Sequence, residues 1–466
     1  MSSSLLESGP LADAEPRAVV RRGVEVGRAP RTAAGSLAPI ARWLWHPGVW
    51  SIADQAIVSG TSFVTSIVIA RCCSRSELGL FALAISLIAL TRAIQEQLIT
   101  APFMVFAGRM RDVRLSRYTG SCLVHQGQLT LAAAVLFAGL WLSTWQMGWW
   151  SEMQPLFPML VLALPFLLFR EHVRQTSYGL LRPGAAIAVD LTASTLQLGI
   201  MIGLWATGRL TIPAVFVAMT VGCGVGTLGW LAVTAKLWEV KPNRIAVDWQ
   251  RNWRLGRWAL ACQLVGQAAP YVMPWLIAST HDAAAAGLLA ACTTLAGPAN
   301  LFVTGYANHL TPRASAAFAS GGVSRVRPVV LEAMGLFGVT LGLFAATTWC
   351  LGDAVVDLVY GSKFTGAGAG SILALLATVV LVNSFGTVAG NALWAMERAS
   401  ANFRADVVTL VATLLTAVWL IPAYGAWGSA IATLAGAVSG SIWRVGTLIA
   451  ECRACSKFGV TTGGRP

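Results

Sequence analysis

The sequence predicts an all-α polytopic membrane protein of about twelve transmembrane helices, built as two six-helix bundles related by a parallel internal repeat, with both termini in the cytosol. Three observations predict it. Of 466 residues, 56% are hydrophobic and only 11% charged, whereas soluble domains average roughly 25% charged. The apolar residues form runs long enough to cross a bilayer, which takes ~20 residues each. The basic residues lie in short clusters between those runs, and one alternation gathers them on one side.

Taken in order, residues 1–46 are rich in Ser, Ala, Pro and Arg and lack hydrophobic periodicity, so they read as a disordered basic cytosolic tail. The first bundle, 47–235, takes apolar segments near 49–70, 79–106, 119–142, 155–170, 184–207 and 210–235. Pro155, Pro158 and Pro165 shorten the fourth, and Arg170, Glu171 and Arg174 fall to the inner segment after it. A basic cytosolic linker, 236–257, leads to the second bundle, 258–449, with segments near 258–279, 284–308, 329–351, 367–394, 405–422 and 425–443; 450–466 is a cytosolic tail.

With the N-terminus inside, 28 of the 33 Lys and Arg residues lie on the inner side. Arg71, Arg75, Arg209 and Lys363 lie outside, and Arg92 alone falls within a span. The net charge of +13 therefore reports orientation rather than a nucleic-acid partner, which needs the positive charge on one solvated face. Trp141, Trp145, Trp149 and Trp150 crowd one outer boundary, while Trp238, Trp249, Trp253 and Trp258 border the linker, as headgroup-level belts do.

Two offsets suggest duplication. At 208, Ile69/Ile277, Ala70/Ala278, Gly79/Gly287, Leu80/Leu288 and Ala82/Ala290 match; at 216, the Arg182-to-Asp190 spacing recurs as Arg398-to-Asp406. Repeats six spans apart keep the same orientation, and such duplications place a transporter's substrate between the halves.

Soluble catalytic chemistry has no platform here, because the outer loops are short. Most of the nine cysteines sit inside apolar runs, and neither Cys72-Cys73 nor Cys452-x-x-Cys455 makes a disulfide framework or zinc site. His125, His172 and His309 have no metal spacing, GxxxxGK[ST] is absent, and no nucleophile has a recognisable base. No metal and no cofactor is expected.

Ionisable residues inside a span are costly and mark functional candidates. Asp54 lies roughly 7 Å below the inner surface, Glu96 about 12 Å and Arg92 about 18 Å, at ~1.5 Å per residue. Arg92 and Glu96 are one turn apart and can pair, and all three can meet in a cytosol-facing cavity. The same residues can equally pin span one to span two. The second half offers amides and rings instead, Gln263, Gln267, Tyr271, Asn300, Asn308, Asn383 and Asn391, able to bind sugar hydroxyls or to hold helices together.

The stretches Asp54-Gln55-Ala56, Ile69-Ala70-Arg71, Ser74-x-x-Glu77-Leu78-Gly79-Leu80-Phe81-Ala82 and Pro102-Phe103-Met104-Val105-Phe106 resemble the polysaccharide transporter branch, which includes the O-antigen flippases, of the multidrug/oligosaccharidyl-lipid/polysaccharide (MOP) exporter superfamily. The resemblance implies two bundles forming a V around a central cavity and translocation of undecaprenyl-pyrophosphate-linked oligosaccharide, for exopolysaccharide or O-antigen export, across a bacterial inner membrane. It implies no enzymatic activity, and as partners a polyprenyl-pyrophosphate-linked glycan, membrane lipids, and polysaccharide polymerase and export machinery. On that reading Arg92 meets the pyrophosphate, with Arg71 at the outer exit either a second candidate or an interfacial anchor, and Asn300, Asn383 and Asn391 meet the glycan. Asp54 and Glu96 are the coupling or cavity carboxylates. A cation-coupled multidrug exporter of the same superfamily is the nearest alternative, and an integral-membrane polymerase or ligase a further one.

Overall fold

The computed structural model describes residues 47–147, 154 and 156–458. The tail 1–46, Pro155, Trp149, Trp150, the side chain of Cys455 and everything beyond Phe458 lie outside the described residues.

Helices follow one another throughout. α1 is Pro47–Cys72, α2 Arg75–Ala107, α3 Asp112–Met147, α4 Leu156–Gly179, α5 Pro183–Ala206, α6 Ile212–Thr234 and α7 Pro242–Thr280. A 78-residue stretch, Ala283–Tyr360, breaks at Gly321 and Gly322 into α8 (283–320) and α9 (323–360). α10 is Ala369–Ala395, and a 60-residue stretch, Ala399–Phe458, breaks at Gly425 into α11 (399–424) and α12 (426–458). Gly322 (φ 63°) and Gly425 (φ 54°) occupy left-handed backbone that glycine adopts without steric cost. Among the described residues, nine helical stretches are long and apolar enough to cross a membrane. Two of these are the double ones, and α7, whose first third is basic and polar, makes the twelfth crossing.

Local sequence sets several boundaries. Ser74 opens α2 with a capping box: its hydroxyl accepts from the Glu77 backbone at 3.2 Å while the Glu77 carboxylate accepts from the Ser74 backbone at 2.8 Å. Asp282 caps α8 by accepting from Ala285 N–H at 2.7 Å. Pro183 opens α5 at a position where a missing N–H costs nothing.

The duplication is visible in the backbone. Before α5, the N–H groups of Leu180, Leu181 and Arg182 donate to the carbonyls of Thr176, Tyr178 and Ser177; before α11, Met396, Glu397 and Arg398 donate to Ala392, Trp394 and Leu393. Every donor and acceptor is shifted by 216, and Leu181 (φ 57°) and Glu397 (φ 60°) both sit in the left-handed region. Gly79 and Gly287, matched at offset 208, lie against each other. A Cβ on Gly79 would strike the Ala283 carbonyl and one on Gly287 the Arg75 carbonyl, each also lying 2.9 Å from the other glycine's nitrogen. That reciprocity places a pseudo-twofold axis between α2 and α8.

The stretch 236–257 is a docked element rather than a bare tether. From Pro242 it is helical, and Asp248, Asn252 and Gly256, four residues apart, are buried on one face. Tyr118 of α3 donates to Asn252 Oδ1 at 2.7 Å, and a Cβ on Gly256 would collide with the Gln97 carbonyl of α2. At the joint, Lys241 and then Arg117 hold the Glu239 carboxylate below the usual glutamate range, at 2.6 and 2.8 Å.

Candidate functional site

α4 extends well past the expected segment 155–170, running on to Gly179. Arg170, Glu171 and Arg174 therefore lie on a transmembrane helix and not in the inner segment to which their charge assigned them. The charge is tolerated because carboxylates from neighbouring helices meet it.

Arg174 is the hub. Its Nε lies 2.8 Å from Asp54 Oδ2 of α1 and 3.1 Å from Asp190 Oδ2 of α5; a terminal nitrogen donates to Gln55 Oε1 at 3.0 Å and the other is 3.4 Å from Glu171. Tyr178 donates to the same Asp54 oxygen at 2.7 Å, and Arg170 donates to Asp190 Oδ1 at 2.7 Å. The side chains of Asp54 and Asp190 are 0% exposed and that of Arg174 12%. α1, α4 and α5 are thus bound by a buried ionic core.

Glu171 links this core to Arg92. Its second carboxylate oxygen is 3.9 Å from an Arg92 nitrogen, and the Arg92 side chain is 53% exposed. Arg92 and the exposed Glu96 also lie within electrostatic reach of Tyr271 on α7, in the second half. Glu96 stays one α-helical turn from Arg92, its backbone N–H donating to the Arg92 carbonyl, and a single π turn, Glu96–Thr100, follows from there. The order Arg92, Glu171, Arg174, Asp54 runs from the space between the halves into the first bundle. Arg92 has one long contact and open donors, so it can exchange Glu171 for a phosphate; Arg174 is engaged by Asp54, Asp190, Gln55 and Glu171.

Several expected placements differ. Arg92 makes its ion pair with Glu171 of α4, while Glu96, one helical turn on, lies within its electrostatic reach without closing an ion pair. Asp54 does not meet Arg92 or Glu96; Arg174 and Tyr178 hold it. Arg92 is accordingly not the lone cation inside the first bundle's spans, since Arg170 and Arg174 lie along α4. Arg71 donates to the carbonyls of Leu358, at 2.7 Å, and Val359, far from the ionic core. Asn300 and Asn383 are exposed, and Asn391 accepts from Thr311 at 3.0 Å, tying α10 to α8. None of the three hydrogen-bonds to the ionic core. In the second half Asp406, the repeat partner of Asp190, pairs with Arg444 of α12.

Sequence reasoning passed over Arg170, Glu171, Arg174, Asp190 and Tyr178. One signal could have found them: a segment confined to 155–170 falls short of the ~20 residues a bilayer needs, and the missing length lies on the C-terminal side.

No protein-family profile matches the chain. The probable flippase AglR of Haloferax volcanii is 31% identical over 127 residues, 27% of this chain. The chain thus matches about a quarter of that relative's length, 26%. A multidrug resistance MATE-family transporter of the MOP superfamily, in its inward-facing conformation, superposes with a TM-score of 0.70 at 14% identity, covering 88% of this chain and 96% of its own. The fold is that of the MOP transporters. The lipid II flippase MurJ, in an inward closed conformation, gives 0.68 at 14% identity, covering 89% of this chain and 94% of its own. An outward-facing MATE-family transporter falls to 0.57 at 14% identity, covering 88% and 95%.

Proposed function

We propose that the protein is a flippase that carries a polyprenyl-pyrophosphate-linked oligosaccharide from the inner to the outer leaflet of a bacterial cytoplasmic membrane, by alternating access between its two bundles. The observation that carries this reading is Arg92: a half-exposed cation on a membrane span, held by a single 3.9 Å contact and flanked by both halves. A diphosphate headgroup cannot cross hydrocarbon unaided, whereas its polyprenyl tail is at home there. Arg92 takes the pyrophosphate in place of Glu171, and the displaced Glu171 turns to Arg174, loading the core that holds Asp54. Asp54 and Glu96 are the carboxylates placed to couple that step to a proton or cation. Asn300 and Asn383, both exposed, are offered to the glycan, and Arg71 acts at the outer exit.

The multidrug-exporter reading draws on the MATE-family fold and on the exposed Glu96. Arg92 opposes it, since an organic cation would be repelled there. Expression in a strain lacking its lipid-linked oligosaccharide flippase separates the two. Restored glycan export is expected; drug resistance without rescue would establish the exporter instead.

A further inference from the structure

Three of the four outer cations converge on one place. Arg71, near the end of α1, donates to the carbonyls of Leu358, at 2.7 Å, and Val359, near the end of α9 in the other half. Lys363, just past α9, returns the contact: its ammonium donates to the carbonyls of Arg71 at 2.6 Å and Cys73 at 2.9 Å. Arg75 donates to the Lys363 carbonyl at 2.6 Å, and its guanidinium lies 5.3 Å from the centre of the Phe364 ring. Each half thus caps the other's helix C-terminus, where unpaired carbonyls and the negative dipole end favour a cation. Among the described residues, no carboxylate lies within ion-pair distance of these three cations.

The same end of the molecule carries the reciprocal Gly79–Gly287 contact, where the α2 and α8 backbones meet without side chains between them. About two turns farther in, Trp275 of α7 donates to Ser86 of α2 at 2.7 Å, again across the halves. Cys73 beneath Lys363 is 4% exposed and Ser86 8%.

We propose that Arg71, Arg75 and Lys363 form a latch that holds the outer ends of the two halves closed, and that the outward-facing state forms only when this reciprocal capping breaks. Removing the latch shifts the population outward, because the inward-closed state loses its capping cations while its glycine contact is untouched. The inference rests on the alternating-access reading and not on the identity of the cargo.

Thiol accessibility tests it. The full chain, with Cys72, Cys73 and Cys350 replaced by serine, carries Ser86→Cys as a reporter and meets a membrane-impermeant maleimide from the outer face. With the latch intact the reporter labels slowly. In Lys363→Ala, and further in Arg71→Ala/Lys363→Ala, labelling accelerates at least tenfold, while Arg209→Ala, which removes the fourth outer cation, leaves it unchanged. A double variant that reaches the membrane with an unaltered gel-filtration profile yet labels at the parent rate would overturn the proposal. So would acceleration confined to Cys73 in a parallel chain that keeps it, because that reports loss of the Lys363 cover and no separation of the halves. Should the alanine variants fold poorly, Lys363→Gln, which keeps a donor and removes the charge, is expected to accelerate Ser86→Cys labelling to a smaller degree; an unchanged rate there counts against the latch.

Discussion

Arg174 and Arg92 belong to one chain of ionic contacts yet face opposite physical circumstances. Arg174 neutralises Asp54 and Asp190, whose side chains are 0% exposed. Its removal strands two buried carboxylates, and breaking such pairs costs about 3–5 kcal/mol. Arg174→Ala should therefore lower the thermal midpoint in detergent by many degrees, or prevent accumulation in the membrane. Arg92, 53% exposed with one 3.9 Å partner, contributes ~1 kcal/mol or less to the fold. Arg92→Ala should melt close to the parent protein. Equal destabilisation by the two substitutions would contradict the division of labour between them. Asp54→Asn belongs to the same scale: it keeps the shape but leaves Arg174 undercompensated, so its thermal midpoint should fall between those two.

At the level of elements, the π turn Glu96–Thr100 is the joint on which the site depends. Gly256 of α7 packs on the Gln97 carbonyl within that turn, so the cytosolic helix 242–257 and the Glu96 carboxylate share one support. Gly256→Val should push α7 off α2 and destabilise the protein by about 1–3 kcal/mol, as overpacking does; an unshifted melting curve would show that the contact is dispensable. The helices themselves were largely legible: apolar runs locate each of them, although α4, α8, α9 and α12 run well past the segments expected, to Gly179, 320, Tyr360 and Phe458. The ion pairing was not. Arg170 and Arg174 read as inner-loop charges because a positive residue at a span's end has the same sequence signature whether it faces water or a carboxylate on another helix. Only the packing of α1, α4 and α5 brings Asp54 and Asp190 to them. The Arg92–Glu96 spacing is α-helical as expected, yet Arg92 makes its ion pair with Glu171, a carboxylate that only the packing of α4 brings to it.

Across the whole molecule, two halves share one backbone plan and differ in chemistry. The turns before α5 and α11 match bond for bond, and Gly79 meets Gly287 across the pseudo-twofold axis. The duplication that these positions suggest in the sequence is the architecture itself. The charge, in contrast, is asymmetric: the first half holds Arg92, Glu171, Arg174, Asp54 and Asp190, and the second answers with the Asp406–Arg444 pair. On the flippase reading proposed above, the first bundle engages the anionic headgroup at the exposed Arg92, and the exposed amides of the second, Asn300 and Asn383, are left for uncharged cargo.

The most direct test of that account is translocation of a fluorescent polyprenyl-pyrophosphate oligosaccharide in vesicles reconstituted with equal amounts of parent and Arg92→Ala protein of matched thermal stability. The account predicts at least a hundredfold loss of translocation in the variant, with Asn300→Ala retaining most of the rate. Parent-level translocation by Arg92→Ala would contradict it.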